Sequence, residues 1–281
     1  MSDAGATDPR SPATAEEVEP LLARPAPDPW AHRRAEPRPL ALLWTLYLLG
    51  ACLLTLGTLI RGGVVGPDVC RPATRLLLAI VGIGLAVVWP LVRLSQVRPA
   101  GSTLAATLKD ALVLVLPVQL LIWPHAFHWL SAWPMEVIAA LSAWSVAWAA
   151  LVGGTLAAAL AHLAGKRASH LARVLWMALF LAIALGGPPL VRWATTLTGA
   201  SIHAGPVLPG RSPASDPTWL ASPVFAVFEL ARERPEQVGG AASPDSHWGG
   251  LGAVAALAVG AWVAASFVAR RSALASEPTP A

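Results

Sequence analysis

Gln119 stands between Pro117 and Pro124 inside a long apolar run. A proline has no N–H, so the carbonyl four residues earlier loses its helical donor and polar backbone accumulates beside a polar side chain. Broken membrane helices can present such groups to a substrate, which makes Gln119, Pro117 and Pro124 a candidate pathway. The plainer alternative is a kinked helix whose Gln119 bonds a neighbouring span. His125 and His128, three apart, follow among Trp123, Trp129 and Trp133, and His247 precedes the last apolar run. A haem between helices needs two histidines at matching depth, so His125 or His128 with His247 is a candidate outer-side ligand pair. Interfacial His and Trp also serve as simple anchors, and no Cys-x-x-Cys-His sequence occurs, so no cofactor and no metal are expected.

Other chemistry is excluded by position. Ser201 and His162 could form a nucleophile and base only within hydrogen-bond reach, but they are expected at opposite membrane surfaces. Gly165-Lys166 continues into Arg167 without the upstream glycine or following Ser/Thr of a phosphate-binding loop, and no His-Glu-x-x-His occurs. No Asp, Glu, Lys or Arg is expected well inside any span, which argues against ion coupling through a buried carboxylate. The chain is not expected to be an enzyme.

These residues sit on apolar elements. Of 281 residues, 55% are hydrophobic and only 13% charged, against roughly a quarter charged in an ordinary soluble domain. This composition excludes a disordered chain and a disulfide-stapled secreted domain, and leaves an all-α polytopic membrane bundle. The net charge of +4 is spread along the edges of apolar runs, so nucleic acid is excluded as a partner and the lipid bilayer is expected instead. Cys52 lies within an apolar run and Cys70 in the loop after it, so no disulfide is expected.

A spanning helix needs about 20 apolar residues. Six stretches qualify: Leu40–Ile60, Leu76–Val92, Ala111–Met135, Val137–Gly165, Val174–Val191 and Trp248–Ala269. The third and fourth are divided by a hairpin expected at Trp133-Pro134-Met135-Glu136. Arg33, Arg34, Arg38, Arg93, Arg98, Lys109, Lys166, Arg167, Arg173, Arg270 and Arg271 all fall on one side if the N-terminus is inside. This bias places both termini in the cytoplasm, in agreement with six crossings. Low Lys with high Ala, Arg and Pro points to a GC-rich bacterial genome and hence the inner membrane.

Residues 1–39 read as a disordered cytoplasmic tail that is not a signal peptide, with Trp30–Pro39 at headgroup level. Residues 40–191 hold the first five spans, 192–247 an outer loop, 248–269 the sixth span and 270–281 a cytoplasmic tail. Within the outer loop Ser222-Pro223 is a helix start, followed by Val224, Phe225, Phe228 and Ala231 on one face. Pro223, Phe225 and Phe228 therefore mark a candidate interfacial helix, lying on the surface or dipping between spans. Small residues at spacing four, Gly153/Ala157/Ala161 and Gly252/Ala256/Gly260, are expected as contacts within the bundle.

The layout resembles the membrane subunit of an ABC-2-type exporter. Trp30–Pro39 stands where that family has an amphipathic segment before the first span. Ser222-Pro223-Val224-Phe225-Ala226-Val227-Phe228-Glu229-Leu230 resembles its outer element between the fifth and sixth spans. The inner loop Leu94–Asp110, with Gly101-Ser102-Thr103-Leu104, would contact the ATPase. The long Pro-rich outer loop and the doubly proline-broken third span depart from the family. The resemblance implies a permease-like subunit that moves a hydrophobic or amphipathic substrate, with a separate ATPase subunit as partner and a homo-oligomer left open. A non-transporting membrane scaffold or assembly factor is the alternative, and a haem-bearing redox anchor a third.

Overall fold

The computed structural model describes residues 38–62, 66–96, 102–163, 170–198, 217–232 and 245–274. Of the expected tail over residues 1–39, residues 1–37 lie outside the described residues, while Arg38 and Pro39 open the first helix; the loops around 199–216 and 233–244, residues 275–281, Ser201 and Gly101 also lie outside them. All described elements are helical. They are α1 (Arg38–Gly62), α2 (Pro67–Ile83), a π turn (Gly84–Val88), α3 (Trp89–Ser95), α4 (Thr103–Ile122), a 3-10 turn (Trp123–Ala126), α5 (Met135–His162), α6 (His170–Thr198), a 3-10 turn (Pro217–Ala221), α7 (Ala226–Leu230) and α8 (Asp245–Leu274). With α2, the π turn and α3 as one rod, six helices are long and apolar enough to cross a membrane, as a multi-pass membrane protein requires.

The second and fourth spans form the centre. Leu78, Val81, Leu85 and Trp89 of the second pack with Leu141, Trp144, Val152 and Leu156 of α5, and with Leu114 and Val118 of α4. The first, fifth and sixth spans are peripheral and leave Leu46, Leu53, Leu175, Leu190, Leu257 and Phe267 exposed. Such faces would be costly in water but are ordinary where the solvent is hydrocarbon.

The π turn has a local cause and a tertiary use. Pro90 cannot donate to the ladder, and just before it the Trp89 amide reaches back five residues to the Gly84 carbonyl. Gly84 lies directly under α1, where an added Cβ would come within 2.6 Å of the Trp44 and Tyr47 rings. Tyr47 Oη donates to the Ile80 carbonyl at 2.7 Å, and Trp44 Nε1 to the Leu114 carbonyl at 3.0 Å. Two side chains thus tie α1 to both the second and third spans.

Glycine also lets α5 and α8 pack closely. A Cβ on Gly154 would lie 2.9 Å from the Trp262 backbone nitrogen, and Trp262 Nε1 donates to the Ala150 carbonyl at 2.8 Å. Gly153 faces Trp89 and Trp262. Gly153, Ala157 and Ala161 are therefore bundle contacts, but Gly252, Ala256 and Gly260 are not. That second set faces outward and its glycines meet no atom within 4 Å, because Leu251, Val254 and Ala258 supply the buried stripe of α8.

Several boundaries differ from expectation. The third span runs from Thr103 and ends by Ala126, not Ala111–Met135, and the chain reverses over residues 127–134 instead of at Trp133–Glu136. Ser102 caps its start by accepting the Ala105 amide at 3.4 Å, while Pro124 and the extended Phe127 end it. The second span begins at Pro67 and runs through Ser95, so Arg71, Arg75 and Arg93 all belong to it. These charges lie toward the ends of the span, outside the shorter stretch Leu76–Val92 expected for it. Asp110 lies inside the third span, almost fully buried, because Arg93 from the second span neutralises it. A hydropathy window stops at such charges and does not see their pairing.

Candidate functional site

Residues 217–232 do not lie on the surface. Leu220, Ser222, Ala226, Val227, Leu230 and Ala231 are fully buried, so the chain re-enters the bundle between the fifth and sixth spans. Three helices receive it on glycine. A Cβ on Gly82 would sit 2.5 Å from the Pro223 carbonyl oxygen, one on Gly187 1.7 Å from that of Ala221, and one on Gly250 2.5 Å from Leu220 Cδ1. The second, fifth and sixth spans therefore each give up a side chain to admit the same few residues.

Two of the bonds holding the segment run from side chains to backbone. Pro188 deprives the Ala184 carbonyl of its helical donor, and the Ser222 hydroxyl supplies the missing hydrogen bond from across the interface. The same oxygen accepts the Val224 and Phe225 amides at 3.2 and 3.3 Å, so Ser222 does cap the turn. The helix it precedes is shorter than expected and differently turned. Only Ala226–Leu230 is α-helical, and its inward residues are Ala226, Val227 and Leu230. Pro223 is buried, Phe225 packs edge-on against Trp219 at 5.4 Å, and Phe228 points outward. The expected face of Val224, Phe225, Phe228 and Ala231 assumed a regular helix from Ser222, whereas residues 223–225 form a turn that shifts the register.

Polar side chains close the segment's end. Arg75 Nε donates to the Ala231 carbonyl at 3.0 Å, and Glu229, 4% exposed, lies 3.3 Å from both His247 Nε2 and Arg232 Nη1. Burying a carboxylate is costly unless it is paired, and these partners account for its position. His125 belongs to a different cluster. Its Nδ1 is 2.9 Å from Ser131 Oγ and 3.4 Å from Thr74 Oγ1, while Arg71 Nε donates to the Ser131 carbonyl at 2.8 Å. His128, three residues on, is exposed. Of the candidate ligands, His125 and His247 thus face separate partners and His128 is exposed, and among the described residues no group of three or more His, Cys, Asp or Glu is placed to hold a metal.

Gln119 is half-buried, and its Nε2 donates to Ser145 Oγ at 2.7 Å, joining the third span to the fourth. Pro117 and Pro124 flank it but bring no second polar side chain to it. At the other end of the third span Arg93 makes a bidentate pair with Asp110 and donates to Gln96 Oε1 at 2.9 Å. This clamp closes the base of the loop between the second and third spans. Removing one member of such a pair strands a buried charge, a loss of about 3–5 kcal/mol.

Beside the re-entrant segment lies the feature sequence reasoning missed. A cleft of about 660 Å³ runs between α6 and α8, walled by Trp148, Ile183, Gly186, Leu220, Ala253 and Leu257. Its lining is apolar apart from the Thr218 side chain and the indole of Trp148. Gly186-Gly187-Pro188-Pro189 within an apolar run is the signal that could have pointed to it. Compared with known protein families, characterised proteins and solved structures, the chain matches none.

Proposed function

We propose that the chain is a multi-pass inner-membrane protein with both termini cytoplasmic, acting as a permease-like subunit that moves a hydrophobic or amphipathic substrate when driven by a separate ATPase. The observation that carries this reading is the re-entrant segment. It is held among three spans by a few side-chain-to-backbone bonds, the Glu229–His247 pair and glycine contacts, and is not part of any spanning helix. Such a segment can leave by exchanging hydrogen bonds while the six helices keep their ladders. In this reading it closes the outer end of the bundle beside an apolar cleft whose lining carries no ionisable group. The Arg93–Asp110 clamp passes ATPase movement from the inner loop to the second and third spans, shifting an inward/outward equilibrium.

The test is a reversible lock. A Cβ on Gly250 lies 3.5 Å from Leu220 Cβ, within the ~3.5–4.5 Å separation of a disulfide. Leu220→Cys with Gly250→Cys, in a chain whose Cys52 and Cys70 are replaced by alanine, should pin the segment on oxidation. With the co-purified ATPase in vesicles, oxidation is expected to abolish substrate-stimulated ATP hydrolysis and reduction to restore it. Hydrolysis indifferent to the lock, or a chain that never co-purifies with an ATPase, breaks the proposal. A second reading, the non-transporting scaffold, is favoured by Gln119, whose amide is already bonded to the fourth span and offers no polar step along the third.

A further inference from the structure

Gly186 and Gly187 are neighbours in α6 with opposite surroundings. Gly187 has no room for a Cβ, since the Ala221 carbonyl occupies its place, whereas a Cβ on Gly186 would meet no atom within 4 Å. Glycine inside a helix is destabilising relative to alanine, so at Gly187 the re-entrant segment accounts for the residue. At Gly186 packing accounts for nothing. What Gly186 does is widen the cleft, whose wall it forms.

The cleft's volume, about 660 Å³, falls within the range of roughly 300–1,000 Å³ typical of small-molecule sites. It is a half-open cleft walled by α5, α6 and α8, with Leu220 and Ala221 of the re-entrant segment also in its wall. With α6 and α8 crossing the membrane, the cleft borders hydrocarbon through Leu179, Leu190 and Leu257, which line it and are themselves exposed. An acyl chain then enters without losing any hydration, whereas a polar solute would have to shed its own against walls that are almost wholly apolar.

We propose that this cleft binds one hydrocarbon chain of a bilayer lipid, which lies along α6 against Gly186. The proposal names the cargo class of the permease reading and rests on that reading only for calling the lipid cargo; the binding itself stands on the cavity. Gly186 sets the depth to which the chain enters. Leucine at this position fills the cleft from the wall while improving local helix propensity, so the variant separates loss of binding from loss of fold.

The experiment uses the full chain in vesicles of phosphatidylethanolamine and phosphatidylglycerol, doped with phosphatidylcholine bearing a diazirine midway along one acyl chain. After photolysis, adducts are mapped by peptide mass spectrometry. The expected result is labelling of the half-buried lining residues Leu151, Ile183 and Ala221 at least equal to that of Leu46, Leu49 and Leu53, which α1 exposes directly to lipid, and several-fold above what their exposure alone would give. Gly186→Leu should remove the excess in the cleft, leaving the α1 adducts in place and the thermal midpoint no lower. Cleft labelling in proportion to exposure, cleft labelling indifferent to Gly186→Leu, or chain-to-chain crosslinks through the cleft in place of lipid adducts would overturn it. The two readings separate cleanly. A lock that leaves ATP hydrolysis unchanged while the cleft still labels ends the permease reading alone; a working lock with labelling in proportion to exposure ends the lipid site alone.

Discussion

Two glycine pairs border the sixth span, and they set its distance from its neighbours in opposite ways. Gly153-Gly154 of α5 draws α8 inward until Trp262 lies on the bare backbone and bonds the Ala150 carbonyl. Gly186-Gly187 of α6 does not bring α8 closer. Gly187 admits the re-entrant segment as a wedge, and Gly186 leaves the space beside that wedge empty. In lipid, helices gain little from mere apolarity of contact, because the solvent is apolar too, so close approach depends on small residues and hydrogen bonds. The comparison shows that the same small residue can either close an interface or hold it open. The neighbouring backbone decides which.

Substitutions at these glycines can break or sharpen that contrast. Gly187→Ala carries the largest expected effect, because its methyl would overlap a backbone carbonyl that cannot rotate away. We expect a loss of about 3 kcal/mol, at the upper end of overpacking costs, read from reversible unfolding in mixed micelles, together with protease sensitivity appearing within residues 217–232. Unchanged stability would mean the segment does not rest on α6. Gly154→Ala should cost less, about 1–2 kcal/mol, since α8 can move away slightly at Ala261 and Trp262. Its signature is a change in tryptophan fluorescence as the Trp262 bond to Ala150 loosens. Gly186→Ala is expected to reverse the sign and stabilise by about 0.5–1 kcal/mol, because the added methyl enters open space and the helix gains propensity. A destabilised Gly186→Ala protein would show that the cleft is filled by protein, and the contrast between the pairs would collapse.

The legibility of the chain in its sequence follows the same division. Length and apolarity marked all six spanning segments, because hydrocarbon imposes one minimum length on any helix that crosses it. Their ends were harder to read. Arg93 and Asp110 looked like limits of two spans and are instead a buried pair inside the bundle, since an opposite charge from another helix lifts the penalty that a single-segment scan assigns to each. Ser222 was legible as a cap, but the helix it was expected to begin became a turn, and Phe228 consequently points away from the interior. Gln119 was readable as the polar residue of a broken helix. That its partner is Ser145 follows from how α4 lies on α5.

By itself, then, the sequence determined the class of protein, the number of its spans and where proline and glycine interrupt them. These are local properties of chain stiffness, hydrogen-bonding capacity and solvent preference. Only the tertiary structure decided that residues 217–232 enter the bundle, that Pro188 frees a carbonyl for Ser222, and that of two adjacent glycines one is covered and one faces a cleft. Each of these depends on what lies opposite a residue in space. In a bundle whose helices share one composition and whose surroundings are equally apolar, hydrophobicity along the chain carries almost no information about which faces meet.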